Sequence, residues 1–221
     1  MLRGTVGKNG GNNSADVKII QKMINKQDTL RAPLPELVED GIYGASTQAA
    51  IDHIQTNNTI SANGLIAPRS KTLLLLWPVA YKSPTGRTIR GTDGMGSGHF
   101  GASRAGGKRV HKGTDYTVTV GQKVKAPMSG YVKRIAKPYS SGTDYRLLSG
   151  VEIVGSNGYK CKLWYMTLEP NIVGSLVVAG QENVGIALTL QNRHGSSMTE
   201  HIHVEIKSYS GLQIDPTTLI K

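Results

Sequence analysis

Apolar side chains in the first third of the chain recur every three or four residues, the spacing of one face of a helix. Three segments show this spacing: 15–25, 46–55 and 70–76. In the first segment Val17, Ile20 and Ile24 share a face, and Ser14 before them is a candidate N-cap. The sequence therefore predicts a small three-helix bundle over residues 1–77.

Turn signals separate these predicted helices. They are Asp40-Gly-Ile-Tyr-Gly44 and Asn63-Gly-Leu-Ile-Ala-Pro68. In each, a glycine can adopt positive φ and the Asp or Asn side chain can bond the local backbone. The glycine-rich and serine-rich segment 78–97 has little periodicity, which predicts a linker to a second domain.

From Val110 onward the pattern changes to alternation of apolar and polar residues, which is typical of strands that are buried on one face. Five segments alternate in this way: 116–120, 130–135, 151–154, 159–165 and 201–206. We therefore predict an all-β antiparallel domain over residues 98–221, with little room for a helix. The whole chain is predicted to be an α+β protein of two domains.

Charge and composition narrow the function classes. The net charge is +11, and residues 1–77 hold eight Lys/Arg and six Asp/Glu, so +9 of it falls on residues 78–221. Basic and aromatic residues are not interleaved and there is one Phe, so we expect no nucleic-acid partner and favour an anionic cell envelope. Apolar runs fall short of the roughly 20 residues that span a bilayer, so no membrane insertion is expected.

Two further features bear on cellular location and metal chemistry. The first residues lack an apolar segment of about 7–15 residues, so we expect no secretory signal and synthesis in a cytoplasm. The single cysteine, Cys161, cannot form an internal disulfide or a thiolate cluster, and its alternating surroundings favour a buried strand residue over a nucleophile. A metal site would therefore use His and carboxylate ligands.

Five of the six histidines fall in the predicted β domain. His201 and His203 are two residues apart on a predicted strand, so both project from one face. His111 and Asp115 flank a glycine turn where the chain enters another strand. Catalytic zinc commonly takes three His or carboxylate ligands and a water, so these residues are candidate zinc ligands.

These residues, in this order, resemble the signature of the lysostaphin/LytM-type zinc endopeptidases over roughly residues 97–210. Supporting matches are Phe100-Gly-Ala-Ser-Arg104, Arg109, Gly121 to Pro127, Gly130-Tyr-Val132, Trp164-Tyr-Met166, Val177 to Gln181 and Gly185. The resemblance implies that His111, Asp115 and His203 bind Zn²⁺ and that His201 is catalytic. It also implies cleavage of peptide bonds in peptidoglycan cross-links.

One departure from that pattern lies at Thr167, where the family has a second catalytic histidine. A hydroxyl can donate a hydrogen bond to an oxyanion but cannot exchange a proton near neutral pH. His99 and His194 are the unassigned histidines of this domain, and each is either a solvent-exposed loop residue or a group that reaches the cleft in place of the missing one.

The first third resembles the peptidoglycan-binding module of many cell-wall hydrolases. The matching residues are Val17, Gln21, Asp40-Gly-Ile-Tyr-Gly44, Thr47, Ala50-Ile51, Gln55, Gly64 and Leu73. Together the two resemblances imply a phage endolysin, expected to be a monomer that is stored in the host cytoplasm and released to the periplasm or wall. The alternative is a degenerate relative that binds peptidoglycan or activates another hydrolase. The bond that is cut, a glycine bridge or a direct D-alanine to diaminopimelate link, stays open.

Overall fold

The computed structural model describes residues 2–104, 106–142 and 147–221. The chain divides into two compact units. Unit 1 comprises Met1–Val79 with Ser156–Gly158, and unit 2 comprises Ala80–Gly155 and Tyr159–Lys221. Within the described ranges, every helix is too short or too polar to cross a membrane.

Unit 1 contains four helices and a short antiparallel strand pair. These are β1 (Val6–Gly7), α1 (Ser14–Asn25), α2 (Asp28–Arg31), α3 (Ala45–Asn57), β2 (Leu65–Ile66) and α4 (Lys71–Leu76). Val17, Ile20 and Ile24 are fully buried on one face of α1. The predicted cap was wrong, because the Asn13 side chain, one residue before Ser14, accepts the hydrogen bond from the Ala15 N–H.

Two buried glutamines fix the turns of unit 1. The Gln21 side-chain oxygen accepts a 2.8 Å hydrogen bond from the Gly41 N–H, and its amide donates to Asp40 at 3.0 Å. Gln55 holds Gly64 in the same way, with a 2.8 Å bond from the glycine N–H. Both glycines have positive φ, 79° and 66°. A Cβ on Gly41 would lie 2.6 Å from a backbone oxygen of α1, so this turn requires glycine.

Unit 2 is built mainly of short antiparallel strands. They are β3 (Thr92–Asp93), β4 (Gly96–Ser97), β5 (Ser103–Arg104), β6 (Arg109–Val110), β7 (Thr114–Thr117), β8 (Lys123–Lys125), β9 (Gly130–Ala136), β10 (Ser149–Val154), β11 (Lys160–Leu168), β12 (Leu176–Val177), β13 (Asn183–Ala187), β14 (His201–Lys207) and β15 (Gln213–Ile214). Gln191–His194 form a helical turn, α5, before β14, and a 3₁₀ turn (Pro216–Thr218) follows β15. The predicted strands fall on β7, β9, β10, β11 and β14, so the mainly β architecture is confirmed.

Nine of the described strands form one sheet, in which β11 is central. The sheet runs β12-β9-β10-β11, and the far edge of β11 pairs with β14 along its first half and with β13 along its second. β14 pairs in turn with β7 and β15, and β13 pairs with β8. Alternate residues of β11 and β14, such as Leu163 and Val204, are fully buried in the core, which leaves the intervening residues on the opposite face.

The segment for which composition predicts a linker, residues 78–97, belongs to unit 2 from Ala80 on. Tyr81 forms a bridge with Met128, and Ile89 forms one with Tyr116. Glycine and serine give this segment an irregular backbone, so its buried residues do not recur at a regular spacing in the sequence.

Candidate metal centre

Three side chains converge at the edge of the sheet where β7 pairs with β14. Asp115 on β7 lies directly opposite His203 on β14, and His111 enters from the loop before β7. The His111 Nε2 atom lies 3.0 Å from His203 Nδ1 and 3.2 Å from Asp115 Oδ1. His203 Nδ1 lies 2.8 Å from the same Asp115 oxygen. The structure thus brings together the three residues that the sequence singled out as zinc ligands.

Gly113 lets the loop pass this close to β14. A Cβ at this position would lie 2.2 Å from the Val204 carbonyl oxygen and 2.7 Å from His203 Nε2. Because the nearest obstacle is backbone, no side chain can be accommodated without moving the strand. The glycine between His111 and Asp115 is therefore required by the geometry of the site.

The outer atoms of the two imidazoles are held by hydrogen bonds. His111 Nδ1 lies 2.8 Å from the carbonyl oxygen of His99 and therefore carries the proton, which leaves the lone pair on Nε2. His203 Nε2 lies 3.5 Å from Glu205 Oε1. Such outer partners fix the tautomer and orientation of metal-binding histidines. The inner nitrogens, His111 Nε2 and His203 Nδ1, consequently face Asp115 Oδ1. Each donates to that oxygen when it carries a proton and offers a metal-binding lone pair when it does not.

Arg90 holds the third member of the cluster, and sequence reasoning missed it. Its guanidinium donates to Asp115 Oδ2 at 2.9 Å and 3.2 Å and forms a 2.6 Å ion pair with Asp93. Arg90 is 2% exposed. Arg90 lies in the glycine-rich segment before His111, where no motif points to a metal site. The three-residue spacing of Arg90 and Asp93 suits an ion pair and is the one feature that could have indicated its role. By occupying Oδ2, Arg90 leaves Oδ1 to face the imidazoles.

The protonation of the cluster follows from burial and from these partners. Burial would raise the pKa of Asp115, but hydrogen bonds from His111 and His203 hold it well below its usual range. Burial would lower the pKa of His203, but its bonds to Asp115 and Glu205 raise it. Burial lowers the pKa of His201, and Asp115 opposes that shift only in part. Asp115 is therefore an anion and His201 is neutral near pH 7.

The donor set fits zinc. Two imidazole nitrogens and one carboxylate oxygen are typical ligands of a catalytic zinc site. Their mutual separations of 2.8–3.2 Å are close to the edge of a tetrahedron with ligand distances of about 2.0–2.1 Å, which is about 3.3 Å. All three residues are at most 8% exposed. Once the inner nitrogens are deprotonated, a single cation can bind all three atoms.

His201 lies beside this cluster without belonging to it. Its Nδ1 bonds the carbonyl oxygen of Thr199 at 2.7 Å, and its Nε2 lies 3.6 Å from Asp115 Oδ1. The neutral ring thus has its proton on Nδ1 and a lone pair on Nε2. A nitrogen in this state can accept a proton from a water placed at the cluster.

The cluster lies in a cavity of about 840 Å³. Its wall includes cationic, aromatic and imidazole side chains, namely Arg90, Arg104, Lys108, Arg109, Lys112, Tyr139, Tyr165, His194 and His201. The carboxylates of Asp115 and Glu205 also line it. A cavity of this volume admits a peptide of a few residues, and its charge favours an anionic one.

Thr167, His99 and His194, whose roles the sequence leaves open, differ in their position relative to the cavity. Thr167 on β11 is exposed and is not among the described residues that line the cavity. His99 is also exposed and contributes its backbone carbonyl to His111. His194 does line the cavity, and its Nε2 lies 3.2 Å from the Tyr139 hydroxyl.

Tyr165 on β11 also lines the cavity. Its ring meets the His201 ring edge-on at 5.4 Å. Its φ is 83°, a conformation that costs a bulky residue about 1–3 kcal/mol and persists where the surroundings impose it. Burial raises the pKa of Tyr165 far above its usual value, so its hydroxyl stays protonated.

No protein-family model matches this chain. Among curated proteins, myeloid protein 1 of Gallus gallus is 36% identical over 130 residues, covering 58% of this chain and 38% of that protein. Leukocyte cell-derived chemotaxin-2 of Bos taurus is 29% identical over 144 residues, covering 65% of this chain and 87% of that protein. The chain thus spans less than half the length of the chicken relative.

Solved structures that resemble the chain include peptidases of the lysostaphin type, at modest identity. A zinc-containing peptidase from Vibrio cholerae matches with a TM-score of 0.46 and 20% identity, over 64% of this chain and 40% of that one. The solution structure of lysostaphin matches with a TM-score of 0.45 and 21% identity, over 62% and 52% of the two chains.

Proposed function

We propose that this protein is a zinc endopeptidase that hydrolyses a peptide bond in peptidoglycan cross-links. The observation that carries the proposal is the convergence of three ligand atoms within 2.8–3.2 Å of one another, with a neutral imidazole beside them in a cavity that fits a peptide. His111, Asp115 and His203 would hold the ion. Bound there, zinc would polarise the scissile carbonyl and acidify a water.

The chain's own residues supply the remaining chemistry. His201 Nε2 accepts the proton of the attacking water and then delivers it to the departing amine. Arg90 keeps Asp115 ionised and oriented through its 2.9 Å bond to Oδ2. Glu205 orients His203 from the far side of the ring. The arrangement is that of a water-activating site, in which no side chain attacks the substrate.

The cationic cavity wall supports an acidic substrate. Arg104, Lys108, Arg109 and Lys112 line it together with the buried Arg90. Free carboxylates of peptidoglycan stem peptides would be attracted by this charge. We favour the direct D-alanine to diaminopimelate link over a glycine bridge, since the direct link places a carboxylate next to the bond that is cut.

We also propose that residues 1–77 are a peptidoglycan-binding module and residues 98–221 the catalytic domain of a monomeric phage endolysin. A second cavity, of about 390 Å³, supports the first part. Its apolar rim includes Val38 and Ile42, which are 75% and 68% exposed. Exposed apolar side chains around a cavity indicate a ligand site. Storage in the host cytoplasm before release to the wall belongs to the same proposal.

A second candidate is a zinc-binding protein that recognises peptidoglycan or activates another hydrolase without cleaving it. Thr167 in place of the second catalytic histidine favours it, and so do the relatives, whose names describe a myeloid protein and a chemotaxin. Retention of the three-residue cluster and of His201 favours the enzyme.

Digestion of a defined wall tests the proposal. Zinc-loaded protein is incubated with peptidoglycan sacculi, with and without a chelator, while turbidity is followed and released fragments are identified by mass spectrometry. We expect fragments with a new amine and a new carboxyl end at one cross-link bond, and none with chelator. Zinc-loaded protein that binds sacculi but releases no fragment would favour the second candidate. Intact cross-links together with absent binding would reject both.

A further inference from the structure

Strand β11 contains a bulge at the cavity. Gly150 of β10 pairs with Trp164, and the preceding Ser149 pairs with Met166. Tyr165 therefore has no partner on β10, and its φ is 83°. A bulge of this kind redirects a side chain and often lies next to an active site.

The bulge places two consecutive side chains against the histidines of β14. In a regular strand Trp164 and Tyr165 would lie on opposite faces. Here the Trp164 ring stacks on His203 at 5.1 Å, and the Tyr165 ring meets His201 edge-on at 5.4 Å and His203 at 6.4 Å. Trp164 packs against one candidate ligand, while Tyr165 brings a hydroxyl to the cavity.

A chain of polar groups leads from Tyr165 along the cavity wall. Its hydroxyl is hydrogen-bonded to that of Tyr139, whose ring stacks on it at 6.4 Å. The Tyr139 hydroxyl lies 3.2 Å from His194 Nε2, and the Arg193 guanidinium lies 4.0 Å above the Tyr139 ring. In the contact between the two tyrosines, the Tyr165 O–H donates to the Tyr139 oxygen. Rotation about the Tyr165 C–O bond turns the same O–H toward an oxygen in the cavity, and Tyr139 can then donate to Tyr165 in its place.

Apolar packing holds this chain in place. Leu148, Leu190 and Met198 form a buried cluster, and both tyrosine rings pack against it. The rings are therefore held by this apolar contact and by stacking on each other. With the ring of the donor fixed, only the hydroxyl proton has to turn toward a developing charge.

We propose that the Tyr165 hydroxyl is the hydrogen-bond donor to the oxyanion of the reaction, in the role that the histidine absent at Thr167 would have, with Tyr139 and His194 as positioning residues. The inference rests on the proposed function. As the water oxygen bonds to the carbonyl carbon, the carbonyl electron pair moves to oxygen and His201 takes the water's proton. Tyr165 donates a hydrogen bond to that oxygen and keeps its proton. The C–N bond then breaks, and His201 returns the proton to the amine.

The test compares Tyr165→Phe with Thr167→Ala in the full-length zinc-loaded protein. Kinetics on a soluble cross-linked muropeptide give kcat and KM, and calorimetry gives the affinity for a phosphinate peptide whose tetrahedral phosphorus replaces the scissile carbonyl. We expect Tyr165→Phe to lower kcat by about 10²–10³-fold and to weaken phosphinate binding by a similar factor, with KM changed less than about threefold. Thr167→Ala should change each value by less than about threefold.

Equal zinc content and near-ultraviolet circular dichroism confirm that the variants are folded. Tyr139→Phe provides a second arm and should lower kcat by about tenfold, since Tyr165 keeps its hydroxyl but loses its support. A Tyr165→Phe variant with wild-type phosphinate affinity, or a Thr167→Ala variant with the larger loss, would overturn the proposal. If the wild type cleaves nothing, the proposed function fails, while the phosphinate arm still decides whether the hydroxyl binds the tetrahedral oxygen.

Discussion

Both units bury polar side chains, but the partners of those side chains differ. In unit 1 the amide groups of Gln21 and Gln55 point at turn backbone, and each donor meets an acceptor. In unit 2 the inner nitrogens of His111 and His203 and the Oδ1 atom of Asp115 face one another, at 2.8–3.2 Å. A buried polar group that is paired with backbone stabilises a fold, whereas ligand-type atoms that converge on one point indicate a metal site.

The largest expected effect is on catalysis in unit 2. His201→Ala removes the proton acceptor and should lower the rate of wall cleavage by about 10²–10⁴-fold. The zinc content should be unchanged because His201 lies outside the ligand cluster. Turbidity and metal analysis measure the two quantities. His53→Ala, on α3 of unit 1, serves as the control and should retain activity. If His201→Ala lost its zinc, His201 would be a zinc ligand, which would contradict its assignment as a base outside the ligand cluster.

The next effect is on the stability of unit 2. Arg90→Met removes the nearest cation from buried Asp115 and partly buried Asp93, leaves Arg104 at 3.9 Å from Asp115, and should reduce the free energy of unfolding by about 3–5 kcal/mol. Urea unfolding followed by the fluorescence of Trp164, in a background with Trp77→Phe, reports on this unit alone. Arg134→Met is the matched control, with an expected loss below about 1 kcal/mol since its side chain is 53% exposed. Equal losses of unfolding free energy in the two variants would show that the ion pairs of Arg90 contribute no more than an exposed pair does.

A smaller effect is expected in unit 1. Gln21→Leu preserves volume but leaves the Gly41 N–H without its acceptor, so the free energy of unfolding should fall by about 1–3 kcal/mol. Urea unfolding followed by Trp77, with Trp164→Phe, measures it, and cleavage of a soluble muropeptide should be unaffected. Gln27→Leu, at a half-buried position, should be close to neutral. A Gln21→Leu variant that loses muropeptide cleavage would contradict the purely structural role of that side chain.

The smallest expected difference between the units is in how their stability depends on acid pH. The pKa of Asp115 and that of Asp93 are lowered in folded unit 2, against burial, by His111 and His203 and by Arg90 respectively. Their stabilisation is complete above the unfolded value of about 3.8 and is lost as the pH falls toward the folded values. The limiting slope is about 1.4 kcal/mol per pH unit for each proton taken up. Between pH 5 and pH 2, acid should therefore lower the free energy of unfolding of unit 2 more steeply than that of unit 1. Urea unfolding of the metal-free protein at a series of pH values measures both. If the two free energies fell in parallel with pH, the lowered pKa values of Asp115 and Asp93 would be contradicted.

Periodicity in the sequence predicted the main strands and the positions of the longer helices, because alternation and helical spacing reflect which side chains are buried. It could not predict the packing of residues 80–97, where irregular backbone carries Arg90 to Asp115. Nor could it predict that Trp164 and Tyr165 both contact the histidines of β14, because a bulge leaves no mark in a pattern of single residues. The roles of the two domains and of Thr167 stay predictions.

Zinc titration of the full-length protein by calorimetry tests the central claim most directly. Wild type and His99→Ala, whose side chain is exposed, should each bind one zinc ion per chain, and His111→Ala should bind none under the same conditions, because two of the three ligands cannot hold the ion alone. Wild-type protein that binds no zinc, or His111→Ala protein that binds it as tightly as wild type, would contradict the assignment of the buried cluster in unit 2 as a metal centre.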